Sequence, residues 1–290
     1  MRRGVVLPHK EISGTAHGEL ATFCAALEEA GYDHLLVYDH VLGADTATRP
    51  GWQGVYTSAD PFLEPLVTFA HLATVTSLDF MTGVLVLPQR QTALVAKQVA
   101  TLDALAPGRI RLGVGIGWNA VEYEALGVDF ATRAARVEEQ MALLRRLWGE
   151  PSVEHAGRTD TVRAAGILPR PRRPIPLWMG SSTAARALAR VGRLADGWLP
   201  MPDIQPGHGF EDAWRAVRAS ASDAGRDPGT LGLEGHVRLR AGSDDRTRAR
   251  VERWRDVGAD AVALNPLRDD ARWPEGHLDL LLRAADQLLR

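Results

Sequence analysis

Short apolar runs and longer amphipathic runs take turns along almost the whole chain, and few folds can satisfy that rhythm. The strand-like segments are Gly4–Leu7, Leu35–Asp39, Phe80–Leu87, Ile110–Val114, Pro176–Met179, Gly197–Leu199, Leu231–Leu239 and Ala261–Leu264. Between them lie runs with helical spacing: Glu19–Ala30 ending at Gly31, Pro61 to about Thr76, Thr92–Leu105, a broken stretch carrying Val137, Met141, Leu144 and Leu147, then Thr183–Arg193, Asp212–Ala224 and Arg246–Val257. A closing helix carries Leu278, Leu281, Leu282, Ala285 and Leu289 on one side. Parallel strands need crossover connections, and closing the sheet removes both exposed edges. Eight strand–helix pairs in 290 residues therefore predict an α/β fold of the (β/α)8 or TIM-barrel type, one domain over residues 1–290. The rhythm fails only at 150–174, where Pro151, Pro169, Pro171 and Pro174 surround Arg170, Arg172 and Arg173. That excursion is read as an insertion of hairpin type before strand 5.

Composition narrows the function. The formal charge is −2, from 34 basic and 36 acidic residues interspersed along the chain, so neither nucleic acid nor an anionic membrane is an expected partner. Cys24, the single cysteine, sits in a helical apolar pattern and suits a buried thiol in a reducing compartment. The chain enters Gly4-Val5-Val6-Leu7 without an apolar signal region, and no apolar run reaches membrane-spanning length, so a cytoplasmic protein is expected. The histidines show no metal-ligand spacing, so no metal is expected, and no Gly-x-Ser-x-Gly elbow supports a serine hydrolase.

In a barrel of this type ligands bind at the carboxyl ends of the strands. The segment Gly108–Glu122 is the most distinctive there: an apolar strand runs into Gly113, Gly115 and Gly117 and then a helix start. Glycines there remove side-chain bulk that would keep a flat ring from the main chain. Asn119 and Glu122 read as an N-cap and its capping-box partner, which accounts for Glu122 without a chemical role. The spacing is neither the Gly-x-Gly-x-x-Gly dinucleotide motif nor a P-loop. The same rule selects His9 and Glu11 after strand one, Asp39-His40 after strand two, Thr82-Gly83-Val84 along strand three, Gly180-Ser181-Ser182 after strand five and Asn265 after strand eight. Such a set suits a flat heteroaromatic ring, with the Ser182-Thr183 helix start for an attached phosphate.

Several of these segments, in order, resemble the bacterial luciferase-like monooxygenase superfamily and, within it, the oxidoreductases dependent on the deazaflavin coenzyme F420. The resembling stretches are Val37-Tyr38-Asp39-His40, Val84-Leu85-Val86-Leu87-Pro88, Ala96-Lys97-Gln98 with Thr101-Leu102-Asp103, the run Gly108–Asn119, Leu177-Trp178-Met179-Gly180-Ser181 and Asp196-Gly197-Trp198. The resemblance implies coenzyme F420 as cofactor, with FMN as the alternative, a small-molecule substrate and a homodimer as the assembly to look for. It implies that Asp39 and His40 line the ring and that Gly83-Val84 forms a strand-three bulge with a non-prolyl cis peptide. It also implies that Gly115, Ile116 and Gly117, together with Gly180, Ser181, Ser182 and Thr183, hold the cofactor side chain. Where deazaflavin sugar-phosphate dehydrogenases carry a carboxylate just after the strand-four glycines, this chain has Trp118, so glucose 6-phosphate is not the expected substrate.

The activity implied is hydride transfer between the coenzyme and a small organic substrate, with His40 moving the accompanying proton, since imidazoles titrate near neutrality. The alternatives are an oxygenase using reduced FMN and oxygen, and a non-catalytic flavin-binding barrel whose pocket is filled by side chains such as Trp118. His9, Trp52, Tyr56 and Trp118 are candidate substrate contacts, and residues 43–60 a candidate lid.

Overall fold

The computed structural model describes residues 1–12, 17–240, 242, 244–267 and 271–288. Its barrel strands are β1 (Arg2–Val6), β2 (His34–Val37), β3 (Asp79–Thr82) with its continuation β4 (Leu85–Val86), β5 (Ile110–Gly115), β8 (Leu177–Ser181), β9 (Gly197–Pro200), β10 (Gly232–Arg238) and β11 (Ala261–Asn265). They hydrogen-bond in the order β3–β2–β1–β11–β10–β9–β8–β5, and β5 returns to β3, so the parallel sheet closes on itself. The expected (β/α)8 barrel is the observed fold. The excursion is the antiparallel hairpin β6 (Val153–Ala156) and β7 (Thr161–Ala165), inserted before β8.

The helices around the barrel are α1 (His17–Glu29), α2 (Pro65–Leu72), α3 (Thr92–Leu105), α4 (Ala120–Ala125), α5 (Arg133–Gly149), α6 (Ala185–Leu194), α7 (Phe210–Asp223), α8 (Asp244–Asp256) and α9 (Glu275–Leu288). Leu289 of the expected closing stripe lies outside the described residues. Several helix starts differ from expectation: α1, α7 and α8 begin two residues earlier than read, at His17, Phe210 and Asp244. Pro61 does not open α2; the helix begins at Pro65, because the Glu64 carboxylate caps it by accepting from the Val67 N–H at 2.7 Å. Likewise α6 begins at Ala185, two residues beyond Thr183.

Strand three is broken as well. The ladder stops after Thr82, the Gly83–Val84 peptide is cis, and pairing with β5 resumes at Leu85. Inside the barrel, near the amino ends of the strands, Glu234 accepts from His34 at 2.7 Å and from Arg111 at 3.0 Å. Gly4 makes that possible, since a β-carbon there would lie 2.3 Å from the His34 ring. Burial alone would raise the Glu234 carboxyl, but His34 and Arg111 hold it down at about 2. Around this charged floor the core is apolar, and Cys24 belongs to it, fully buried. Among the described residues, no helix is long and apolar enough to cross a membrane.

Candidate active site

The carboxyl ends of the strands surround a cavity of about 1080 Å³, slightly above the roughly 300–1,000 Å³ typical of small-molecule sites and large enough for a tricyclic ring. Asp39, Gly83, Gly115 and Ser181, which come from four different strand ends, all line it. So do His40, Tyr56, Val84, Ile116, Gly117, Trp118, Gly180 and Ser182. Trp118, 43% exposed, forms part of the wall and does not plug the space.

Thr82, which is fully buried, and three further expected site residues, His9, Trp52 and Thr183, are not in the lining. His9 turns inward on the 3-10 turn His9–Glu11 and lies against Phe62 and Tyr38, at ring-centroid distances of 4.5 and 5.3 Å. Burial, and then the nearby His40, lower its pKa to about 3, so it is neutral. Trp52 instead braces the wall: it packs on Trp118 at 5.8 Å and donates to the Tyr56 carbonyl at 3.0 Å. Thr183 is exposed, because α6 starts beyond it.

The glycines act one step removed from a ligand. A β-carbon at Gly115 would lie 2.4 Å from a Val84 methyl, and one at Gly180 would lie 2.7 Å from the other. The space at Gly113 is taken by the Thr82 carbonyl. Only Gly117 of the three uses a left-handed backbone, at φ +62°, against Val86. These positions therefore let Val84 sink into the wall, and the flattened surface presented to the cavity is the Gly83–Val84 step flanked by β5 and β8. Ser181 accepts from the Trp198 indole at 2.9 Å, which leaves its hydroxyl hydrogen to give, while Ser182 accepts weakly from the Ala184 N–H at 3.4 Å. Arg190, on α6 and paired with Glu138 at 2.8 Å, also lines this corner and was not foreseen.

Asp39 does not touch His40. Its carboxylate accepts from the Val86 N–H at 2.9 Å and from Arg90 at 2.7 Å, so it pins the backbone just past the cis step. Burial pushes its carboxyl up, and the Arg90 guanidinium pulls it back. Arg90 in turn binds Glu64, the α2 cap, at 2.9 Å. Neither partner is visible in the strand–helix pattern.

The largest correction concerns Glu122. It caps nothing: Asn119 alone accepts from the Val121 N–H, while Glu122 is 1% exposed and receives His40 Nδ1, the Val41 N–H and the Gln89 amide, each at 3.0 Å. Burial works against its charge, but the hydrogen bonds from His40 and Gln89 win and lower its pKa. An ionised carboxylate can only accept, so His40 carries a hydrogen on Nδ1, and Nε2 is the ring nitrogen left outside this contact. The rings of Tyr56 and Phe62, both 4.7 Å away, and Trp118 at 5.6 Å enclose His40, whose side chain is 12% exposed. A carboxylate thus stands one helical turn beyond Trp118, buried and turned to His40.

Comparison with known proteins agrees with this architecture. The sequence pattern of the luciferase-like monooxygenase family matches residues 1–279. An uncharacterized protein of Mycobacterium tuberculosis is 36% identical over 180 residues, 60% of this chain, and the chain spans only 62% of that protein's length. An F420-dependent hydroxymycolic acid dehydrogenase of the same organism is 29% identical over 273 residues, 91% of this chain and 69% of that protein. Among solved structures, an F420-dependent secondary alcohol dehydrogenase holding an F420–acetone adduct superposes with a TM-score of 0.78 over 99% of this chain and 98% of that one, at 14% identity, so the fold is shared. With the family pattern covering all but the last few residues, the chain belongs to the luciferase-like monooxygenases, a family of oxidoreductases and monooxygenases.

Proposed function

We propose that this protein is an F420-dependent oxidoreductase that moves a hydride between the coenzyme and a small organic substrate. The observation that carries the reading is His40, held by the buried Glu122 carboxylate in the same cavity as the Gly83–Val84 step. The residues fit a tricyclic ring: β4, β5 and β8 are neighbours, so Gly83–Val84, Gly115–Gly117 and Gly180–Ser182 form one continuous wall with little side-chain bulk. Ser181, Ser182 and Arg190 at one corner offer donors and a positive charge to an attached phosphate. The chemistry supplied by the bound coenzyme is two-electron hydride transfer. His40 Nε2 exchanges the accompanying proton with the substrate, while Glu122 fixes the ring's tautomer and angle. Tyr56, Phe62 and Trp118 restrict water around that nitrogen.

The F420-dependent relative supports this reading, and the family's monooxygenases keep a reduced-FMN reading open. The deciding experiment is titration of the purified protein with F420 and with FMN, followed by fluorescence quenching, then oxygen uptake with reduced FMN. Tight F420 binding without oxygen uptake is the expected result. Preferential FMN binding with oxygen uptake would replace it, and binding of neither would reject both.

A further inference from the structure

Strand β10 turns alternate residues into the barrel. Leu233, Val237 and Leu239 belong to the outer apolar layer, so Glu234, His236 and Arg238 point inward at successively higher levels. Glu234 belongs to the charged floor and His236 is buried, but Arg238, the last residue of the strand, is exposed and lines the cavity at its mouth. Its guanidinium reaches the Leu267 carbonyl at 3.5 Å, the outer limit of a hydrogen bond, and pairs with no carboxylate among the described residues. The other cations of the lining differ. Lys10 is held by Asp60 at 3.1 Å and Arg190 by Glu138 at 2.8 Å, and Arg240 has a partner as well. Asp203, the exposed acid of the same rim, forms no ion pair with Arg238.

The Tyr56 hydroxyl comes to the same place. Its ring meets His40 edge-on at 4.7 Å, and both residues line the cavity. Burial raises the pKa of Tyr56 while the charges of Lys10 and Arg238 pull against it, so the phenol oxygen lies near both of these lining cations. Tyr38, one level deeper, is raised by burial and then by Tyr56, and Arg238 again opposes. The Tyr56 oxygen therefore stands above Tyr38, on the cavity side of the rim. Among the described residues its hydroxyl gives its hydrogen to no partner, and the oxygen stays accessible. An open O–H donor and an open guanidinium thus converge at one point of the mouth. A negatively charged oxygen group satisfies both, and a neutral one leaves the guanidinium charge unmatched.

We infer that Arg238 and Tyr56 form a subsite for an ionised carboxylate at the outer end of the substrate. The assignment to substrate rests on the reading above, in which the coenzyme's own phosphate lies at Ser181, Ser182 and Arg190, on β8 and α6, two strands along from β10. The substrate class is a small organic acid. Its carboxylate lies against the planar fork of Arg238, with the Tyr56 hydroxyl on one of its oxygens, and its reacting end turns inward to His40 and the Gly83–Val84 step.

Calorimetric titration with cyclohexanecarboxylate and its neutral counterpart cyclohexanecarboxamide tests the subsite, first in coenzyme-free protein and then in protein loaded with F420, or with FMN if that is what binds. The acid should bind at least about tenfold more tightly than the amide, and Arg238→Gln should abolish that preference. Arg238→Lys, which keeps the charge and loses the fork, should restore part of it, and Tyr56→Phe should weaken the acid about threefold. Equal or undetectable binding of the two probes, or an acid preference that survives Arg238→Gln, would overturn the inference. Coenzyme quenching should stay within about twofold in each variant. A loss of coenzyme affinity of about tenfold or more in Arg238→Gln would give the subsite to the coenzyme's own anionic chain and overturn the assignment to substrate. Failure of the wild-type protein to bind F420 or FMN would remove the functional reading, while the comparison of acid with amide in coenzyme-free protein still judges the subsite.

Discussion

Replacing Glu122 with Gln tests whether a carboxylate, and not merely a side chain of that shape, holds His40. The substitution keeps the volume of a residue that is 1% exposed. It turns one carboxylate oxygen into an NH2 group and removes the charge. The oxygen that receives His40 and Val41 can remain an oxygen, and the new NH2 then faces Gln89. Gln89 has an escape, since its own amide oxygen is unpaired and can accept after a flip. What is lost is charge assistance on two hydrogen bonds, roughly 1 kcal/mol each, the difference between about 1.5–3 for charged and 0.5–1.5 for neutral partners. The expected destabilisation is about 2 kcal/mol, a fall in Tm of about 3 °C for a chain of 290 residues. Glu122→Ala leaves all three donors unpaired and should cost about 3–5 kcal/mol.

Urea unfolding of Glu122→Gln, His40→Ala and the double variant gives the coupling directly, expected at about 1–2 kcal/mol. Because the folded-state pKa of Glu122 is lowered, its contribution is present above the ordinary value of 4.5 and is lost as pH falls through the folded value. Wild-type stability should therefore fall more steeply on acidification below about 4.5 than that of Glu122→Gln. Turnover should drop about 10- to 100-fold in Glu122→Gln with coenzyme affinity retained, the size of effect seen when a positioning partner of a histidine is removed. A coupling energy below about 0.3 kcal/mol, or identical acid limbs in the two proteins, would refute the carboxylate's role.

Gly115→Ala should push Val84 into the cavity, since the new carbon starts 2.4 Å from its methyl; quenching titrations should show coenzyme binding weakened at least about tenfold for a stability cost of about 1–3 kcal/mol. His9 and His236 stay neutral in the folded protein down to about 3 and about 4, whereas their unfolded forms take up protons below 6.5. Stability should therefore fall as pH drops from 6.5, by about 1.4 kcal/mol per pH unit for each group, and His9→Phe should remove one group's share of that slope in urea unfolding. Glu139 gathers His155 and the N–H groups of Arg158, Thr159 and Asp160 and, against the effect of burial, is held at about 2 by them; Glu139→Gln should speed amide exchange across 153–165 and leave coenzyme binding unchanged. Shortening residues 43–60, whose Tyr56 closes over His40 at 4.7 Å, should blur substrate discrimination while sparing coenzyme affinity, as measured by comparing kcat/KM across substrates of different size.

What could be read from the chain, and what could not, divides by distance along it. Periodicity is local, and it placed α3 at Thr92–Leu105 and every barrel strand to within a few residues, because each segment's apolar face must be buried whatever its partner. The wall of Gly83–Val84, Gly115 and Gly180 was legible too, since in a closed parallel barrel strand ends must converge. Chemistry set by side-chain pairing was not. Glu122 carries a valid local explanation in Asn119-x-x-Glu, and only the return of His40 from 82 residues upstream displaces it. The same holds for Tyr38 with His236, 198 residues apart, and for His34 with Glu234, 200 apart. For the last two pairs strand register, fixed by apolar burial, delivers two polar groups to hydrogen-bonding distance in a low-dielectric interior, where an unpaired one is costly; for Glu122 the helix α4 that follows β5 does so. The barrel's apolar pattern thus determines which polar residues meet. The functional groups to suspect in such a sequence are the polar residues at inward positions of strands, such as Tyr38, Glu234, His236 and Asn265, and a polar residue with a ready local explanation is no exception.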